Sequence, residues 1–218
     1  DVHADFFAAG AEVATACSYE VTVDGLVATG MSREDAVVEA EKLLRLAVSV
    51  AREAASAAAE TAGEPRWVAA SVGPYGAGPG EGTEYDGAYG LTVDELADWH
   101  RDRIGVLASA GADVLIAETV PSVREIEALA REFTAARVDA LLSVTVLPRT
   151  PGTLADGVAL QGDMELVGVV DAAMSLGIMA LKEKGMPYKL YAANRQAADA
   201  FAEAGVPVSG ILEDALGQ

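Results

Sequence analysis

The sequence has 218 residues, of which 51% are hydrophobic, and its 15 basic and 34 acidic residues give a formal net charge of −19. This composition is typical of a globular protein with a sizeable core, and it excludes an intrinsically disordered chain. The charge argues against nucleic-acid partners and anionic membrane surfaces, because their phosphate groups attract clustered Lys and Arg.

Two further features of the sequence predict a cytoplasmic location. The chain opens on Asp1-Val2-His3 without a basic, apolar leader, and its single cysteine, Cys17, cannot form an internal disulfide. No apolar run approaches the roughly 18 residues of a membrane span.

Seven strands are predicted, each from a run rich in Val, Ala, Leu and Ile. Nearly continuous apolar runs of this kind are typical of strands buried on both faces of a parallel sheet. A helix over Asp1–Ala9 precedes the first strand. In chain order the strands are Glu12–Tyr19, Trp67–Tyr75, Asp113–Glu118, Ala140–Leu147, Ala172–Ala180, Tyr188–Asn194 and Val206–Ile211.

Helices are predicted where a hydroxyl residue is followed three positions later by an acid. Ser32 opens a long helix to about Ala62, Thr92 and Ser122 open the next two, and Thr153 opens a fourth. In each segment the hydroxyl can cap free N–H groups and the acid can bond back. Repeated strand–helix units predict an α/β fold with a parallel sheet, in one domain over residues 1–218.

The number of strands is one short of an eight-stranded barrel, which takes roughly 250 residues. A strand before Asp1–Ala9 is not in the sequence. Only Leu181–Pro187 separate two predicted strands, whereas a helical crossover needs at least about ten residues. We therefore expect either further residues outside this sequence or an error in one strand prediction.

The most distinctive segment begins Gly73-Pro74-Tyr75-Gly76-Ala77 and continues, after a short interval, as Thr83-Glu84-Tyr85-Asp86-Gly87-Ala88-Tyr89. Gly and Pro let the backbone turn sharply and approach a ligand closely. The three tyrosines fit two roles. They could form an aromatic wall for a sulfonium or ammonium group through cation–π attraction, or they could pack the loop rigidly.

An acid, Glu118, ends the predicted strand Asp113–Glu118. At the mouth of a barrel it could bind the α-ammonium group of an amino acid, and the alternative is a helix-capping or surface acid. Thr15 and Tyr19 lie four residues apart in a predicted strand, so they share a face and can point into the same mouth. Cys17, between them, is expected to be inert packing.

The two histidines, His3 and His100, are predicted to be structural. Neither has a second His or Cys at the spacing that metal ligands need. The sequence also lacks a Gly-rich phosphate loop with Lys, a nucleophile elbow and a zincin motif.

Three segments together resemble the homocysteine S-methyltransferase family. They are Thr15-Ala16-Cys17-Ser18-Tyr19, the Gly73-Pro74-Tyr75-Gly76 loop with its Glu84-Tyr85-x-Gly87-x-Tyr89 tail, and Ala117-Glu118-Thr119-Val120-Pro121-Ser122. The resemblance is dense from Asp1 to about Ser122 and continues more loosely to Asp156. It is closest to the branch that uses S-methylmethionine or S-adenosylmethionine as donor.

The resemblance implies a parallel (β/α)8 TIM-type barrel that moves a methyl group from a sulfonium donor to the thiol of homocysteine, giving methionine. It implies that Glu118 binds the homocysteine ammonium, that Thr15 contacts the carboxylate and that Tyr19 lines the donor side. No residue is assigned to catalysis, and the oligomeric state is not predicted. The remaining substrate-binding positions are Gly73, Pro74, Tyr75, Tyr85, Thr119 and Asn194.

Zinc is expected from the resemblance, but the three cysteines that bind it in the family are not in this sequence. The place of the first reads Gly177-Ile178-Met179-Ala180, and only Asn194 remains of a family Tyr-Pro-Asn stretch. Two accounts stay open. Either the cysteines lie outside these 218 residues, or the protein is a zinc-independent relative that binds a small amino acid with different or no catalytic activity. A third reading is an interaction subunit that uses the barrel surface.

Overall fold

The computed structural model describes residues 2–78, 83–145 and 153–158, together with the backbone of residues 191–192 and 210–211. The predicted strand Ala172–Ala180 and the predicted site residue Asn194 lie outside these ranges. Among the described residues, no helix is both long enough and apolar enough to cross a membrane. The elements are α1 (Val2–Ala8), β1 (Val13–Ala16), α2 (Val23–Ala28), α3 (Arg33–Ala62), β2 (Trp67–Val72), α4 (Val93–Ala108), β3 (Val114–Val120), α5 (Val123–Ala136), β4 (Ala140–Val144), β5 (Tyr191–Ala192) and β6 (Gly210–Ile211).

The first four strands form a parallel sheet in the order β1-β2-β3-β4. A helix connects each strand to its neighbour, with α3, α4 and α5 in the three connections. β5 and β6 form a separate parallel pair. The predicted parallel α/β sheet is therefore confirmed, while the single domain over residues 1–218 stays a prediction.

The strand ends differ from those predicted. β1 ends at Ala16 and β2 at Val72, earlier than expected. After β2, Gly73-Pro74 leaves the sheet and a 3-10 turn follows over Tyr75–Ala77. β3 instead runs past Glu118 to Val120. Its pairing with β4 is irregular at this end, where Thr119 has a φ of 65°.

The two faces of the sheet have different surroundings. Alternate residues such as Ala14, Val68, Ala70 and Leu115 are buried in the main core, together with Leu44 and other apolar residues of α3, α4 and α5. The opposite face has a smaller apolar cluster. Because side chains alternate along a strand, this second face also receives the polar residues near the strand ends. Its apolar members are Val13, Trp67, Ala69, Val114, Ile116 and Leu141.

Three predicted helix starts are confirmed. The hydroxyls of Ser32, Thr92 and Ser122 each accept a hydrogen bond from the backbone N–H three residues later. At Thr92 the box is complete, because the Glu95 carboxylate also accepts from the Thr92 backbone N–H at 2.9 Å. The helix α2 was not predicted, and its first turn is capped by Thr22 in the same way.

The predicted fourth helix start, at Thr153, is wrong. Residues 153–158 form a turn in which the Leu154 N–H donates to the Val158 carbonyl at 2.8 Å. The Asp156 carboxylate does not accept a hydrogen bond from the Thr153 backbone N–H, as a capping box would require. It accepts from the Val123 N–H at 2.9 Å and so caps α5 from outside that helix.

Candidate functional site

Polar residues of β1, β2 and β3 lie on one face at the carboxyl ends of these strands. Thr15 pairs with Ala69, and Ser71 is two residues further along β2. Ser71 in turn pairs with Ile116, and Glu118 is two residues further along β3. Since alternate residues share a face, the register brings the side chains of Thr15, Ser71 and Glu118 to the same side.

The carboxylate of Glu118 is oriented by Ser71. The Ser71 hydroxyl donates a short hydrogen bond to Oε1 of Glu118, and the Ser71 carbonyl accepts from the Ser18 hydroxyl at 2.7 Å. Ser18 and Ser71 are both fully buried, whereas Glu118 is only partly buried. A carboxylate has about four acceptor positions, so this one retains capacity for a cationic ligand.

Tyr19 lies among the same residues. Burial raises the pKa of the Tyr19 phenol, a hydrogen bond with the Thr119 side chain opposes this, and the nearby charges of Glu84 and Glu118 raise it further. Tyr85 lies within electrostatic range of the phenol as well. The structure thus brings together four predicted positions, Tyr19, Tyr85, Glu118 and Thr119. It adds Glu84, whose Oε2 is buried with no hydrogen-bond partner among the described residues.

Gly73 and Tyr19 are in direct contact. A Cβ atom at position 73 would lie 2.5 Å from the Tyr19 carbonyl oxygen and 3.0 Å from its ring. The loops after β1 and β2 therefore touch through the bare backbone of Gly73. Pro74 is buried beside it, and its carbonyl accepts from the Ala77 N–H at 3.1 Å to close the 3-10 turn.

The three tyrosines do not form one wall. The Tyr75 ring lies 5.2 Å from that of Tyr89 and 5.1 Å from that of Trp99, in a cluster with apolar residues of α4 and α5. Tyr85 is 64% exposed. Tyr75 and Tyr89 thus correspond to the tyrosine-packed loop that the sequence left open, while Tyr85 remains available at the surface near Tyr19.

A buried polar network between α4 and α5 stabilises these loops. It was not predicted from the sequence. The side chains of His100, Arg103 and Glu125 are almost completely buried between α4 and α5. Arg103 Nη2 lies 3.0 Å from His100 Nδ1, and His100 Nε2 lies 2.8 Å from Glu125 Oε1. The predicted structural role of His100 agrees with this position.

The network fixes the protonation state of His100. A guanidinium can only donate, so His100 Nδ1 must accept and Nε2 must carry the proton that is donated to Glu125. Burial lowers the pKa of His100 below its ordinary value of 6.5, and the hydrogen bond that His100 donates to Glu125 opposes this shift. The imidazole is therefore neutral at neutral pH.

A zinc site with three thiolates does not fit the residues present. Cys17 is the single cysteine of the sequence and lies exposed between Thr15 and Tyr19. Within the described part of the chain, no group of three or more His, Cys, Asp or Glu residues is placed to bind a metal ion.

A groove of about 660 Å³ lies elsewhere, between α3 and α4 and next to α2. Its lining mixes apolar side chains with two ion pairs, Arg33–Asp24 and Arg45–Glu41. None of the predicted site residues lines it. We therefore place the candidate site at the strand ends.

The chain is also similar in sequence to known proteins. The sequence profile of the family described as homocysteine S-methyltransferase matches residues 1–180. Homocysteine S-methyltransferase YbgG of Bacillus subtilis (strain 168) is 44% identical over 135 residues, which are 60% of this chain and 42% of that protein. Homocysteine S-methyltransferase of Escherichia coli (strain K12) is 40% identical over 179 residues, covering 82% of this chain and 56% of that protein.

A solved structure is also similar. The metallated form of the homocysteine methyltransferase MmuM from Escherichia coli aligns with a TM-score of 0.71 and 31% sequence identity, covering 96% of this chain and 77% of that one. The chain thus spans only about half the length of the curated relatives it matches.

Gly73→Ala tests the contact between the two loops. The added methyl group meets the Tyr19 carbonyl, so we expect the free energy of unfolding in urea to fall by about 1–3 kcal/mol. Gly105→Ala is the matched control, because a Cβ there meets nothing within 4 Å inside α4. That change should be neutral or stabilising by up to about 1 kcal/mol. Equal stability of the two variants would contradict the contact.

The neutral state of His100 predicts a pH dependence. Because folding lowers the pKa of His100, the unfolded chain binds up to one more proton than the folded chain as pH falls below 6.5. The free energy of unfolding therefore decreases as pH falls from there. In His100→Asn this loss is absent. The stability difference between wild type and variant should therefore narrow by up to about 1.4 kcal/mol per pH unit. Urea unfolding at pH 7.5, 6.5 and 5.5 measures it, and a constant difference would refute the neutral assignment.

Proposed function

We propose a methyl-transfer function, from the premise that this chain belongs to the homocysteine S-methyltransferase family. A methyl group passes from a sulfonium donor, S-methylmethionine or S-adenosylmethionine, to the thiol of homocysteine and gives methionine. The observation that carries the proposal is the convergence of Thr15, Glu118 and Tyr19 at the carboxyl ends of neighbouring parallel strands. Barrels of alternating strands and helices bind their substrates at this end.

We also propose that the sheet is part of a closed (β/α)8 barrel. Its four strands follow one another in chain order, and α3, α4 and α5 cover one face. The other face has its own apolar cluster beneath the polar strand ends. A barrel interior filled by apolar side chains, with polar residues at its mouth, accounts for both faces.

The charges around Tyr19 favour cationic ligands. In the proposal, Glu118 binds the α-ammonium group of homocysteine through a charge-assisted hydrogen bond, and the exposed hydroxyl of Thr15 binds its carboxylate. Glu84 adds a second negative charge near Tyr19, with a buried oxygen that lacks a partner among the described residues. Homocysteine has a cationic ammonium group, and the donor has a sulfonium group as well, so these carboxylates attract the cationic groups of both substrates.

The chemistry is a direct displacement at carbon. The homocysteine sulfur, as thiolate, attacks the methyl carbon of the donor, and a new sulfur–carbon bond forms. The donor's bond from sulfur to methyl breaks, and its electron pair neutralises the sulfonium sulfur. The thiol proton is released to solvent, and the products are methionine and a neutral thioether. The contribution of these residues is alignment of the two sulfur atoms.

Thiol activation is not assigned to a residue. In the family a zinc ion would keep the thiol deprotonated, but the donor set of this chain does not fit that ion, and no step is derived through it. Met179-Ala180, at the place of the family's first zinc cysteine, favours one alternative function, a zinc-independent relative that binds a small amino acid with different or no catalytic activity.

An activity assay separates the two functions. Purified protein is incubated with L-homocysteine and either S-methylmethionine or S-adenosylmethionine, with and without added Zn²⁺, and methionine is measured by mass spectrometry. We expect methionine from at least one donor. If no combination yields methionine while calorimetry still detects homocysteine binding, methyl transfer is wrong and the amino-acid-binding alternative takes its place.

Glu118→Gln tests the ammonium contact. The amide oxygen can still accept from the Ser71 hydroxyl, so the fold should persist, but the negative charge is lost. A charge-assisted hydrogen bond contributes about 1.5–3 kcal/mol, so the KM or Kd for homocysteine should rise about 10- to 100-fold. Glu60→Gln, at an exposed position of α3, should leave both unchanged. Unaltered affinity in Glu118→Gln would remove this residue from the site.

A further inference from the structure

We propose that Arg103 is a positioning residue for the site: from within α4, its guanidinium fixes the loops after β1 and β2 and thereby places Tyr19. The inference rests on the proposed methyl transfer for its kinetic consequence. Arg103 contacts none of the residues assigned to homocysteine, Glu118 and Thr15, through any hydrogen bond in the described part of the chain.

The guanidinium of Arg103 joins two loops. Its Nη1 donates to the Tyr19 carbonyl at 3.4 Å, and its Nη2 donates a short hydrogen bond to the Gly73 carbonyl. These two carbonyls follow neighbouring strands. Only 7% of Arg103 is exposed, so water competes little for these bonds. A planar guanidinium can reach both carbonyls at once, whereas the single ammonium of a lysine cannot reproduce that geometry.

The guanidinium is itself held in place from α4 and α5. Nη2 also donates a hydrogen bond to Nδ1 of His100. The other ring nitrogen of His100, Nε2, donates to Glu125. Glu125 Oε1 accepts in addition from the Tyr75 N–H at 2.5 Å, so the same carboxylate anchors the 3-10 turn after β2. The carbon of the guanidinium lies 4.8 Å from the centre of the Trp99 ring. Two helices thus determine where both loops lie.

The position of Tyr19 follows from these contacts. Its carbonyl is bonded by Arg103, and its ring packs on the backbone of Gly73. Its phenol lies near Thr119 and the charge of Glu118. A shift of the loop would therefore displace the phenol relative to the carboxylate. Glu118 itself would stay in place, because Ser71, a residue of β2, orients it.

Because Arg103 places Tyr19 whereas Ser71 places Glu118, loss of Arg103 should affect kcat and KM differently. Misplacing Tyr19 while Glu118 stays fixed should disturb alignment of the methyl donor more than binding of homocysteine. A displacement of about 1 Å can lower a reaction rate by up to about 100-fold. Loss of the Arg103 contacts should therefore reduce kcat and leave the KM for homocysteine nearly unchanged.

The experiment compares Arg103→Lys with Arg101→Lys. Arg101 lies on the same helix but is 55% exposed and pairs with Asp98 and Glu132. We expect Arg103→Lys to lower kcat about 10- to 100-fold with less than about a threefold change in the KM for homocysteine, and Arg101→Lys to match wild type. An unchanged kcat in Arg103→Lys, or an effect confined to KM, would overturn the proposal. If Arg103→Lys does not fold, His100→Asn replaces it and should change kcat in the same direction.

A double-mutant cycle separates positioning from general destabilisation. Tyr19→Phe removes the phenol that Arg103 is proposed to place, so its effect on kcat should be smaller in the Arg103→Lys background than in wild type. Equal effects in both backgrounds would mean that Arg103 acts independently of Tyr19, and the proposal would be wrong.

Amide hydrogen exchange tests the positioning role of Arg103 independently of methyl transfer. If wild-type protein transfers no methyl group, the proposed function fails, and Arg103 is judged on exchange alone. Arg103→Lys should then accelerate exchange at residues 18–21 and 73–77 relative to Arg101→Lys, with protection of α3 unchanged. No difference at these two segments would overturn the positioning role.

Discussion

The positive charge of a buried guanidinium needs hydrogen-bond acceptors close to it, and this requirement determines how the loops after β1 and β2 pack against α4. Burial lowers the pKa of Arg103 to about 10, so the group is still charged at neutral pH. Its hydrogen bonds run to two backbone carbonyls and to His100, while its opposite charge is Glu125, one residue further along the network. Leaving such a charge without these partners would cost several kcal/mol. The loops that supply the carbonyls are consequently confined to one arrangement.

The parallel sheet adds a second constraint. Its register decides which residues face the helices and which face the opposite side, and a shift of one residue would exchange the two sets. In the observed register Ala14, Val68 and Leu115 enter the main core, while Thr15, Ser71 and Glu118 share the other face. Apolar packing of the helices against one face thus fixes the position of the polar residues on the opposite face.

The sequence predicted what depends on neighbouring residues. The first four strands, the caps at Ser32, Thr92 and Ser122, and the position of Glu118 near a strand end all rest on local patterns. Where an interaction is not local, the prediction failed or was absent. Thr153 has the residues of a helix start, but the acid of its segment caps α5, 33 residues earlier. The network of His100, Arg103 and Glu125 joins two helices to two loops, and no spacing along the chain indicates it.

The contact between Gly73 and the loop after β1 bears on how relatives of this protein can diverge. A Cβ atom at position 73 would clash most closely with the backbone carbonyl oxygen of residue 19. Every amino acid has this oxygen. Replacing the tyrosine ring would therefore not make room for a larger residue at 73. Among homologues in which these two loops approach in the same way, we expect glycine to persist at 73 even where position 19 has changed, so that the two positions vary independently rather than as a pair.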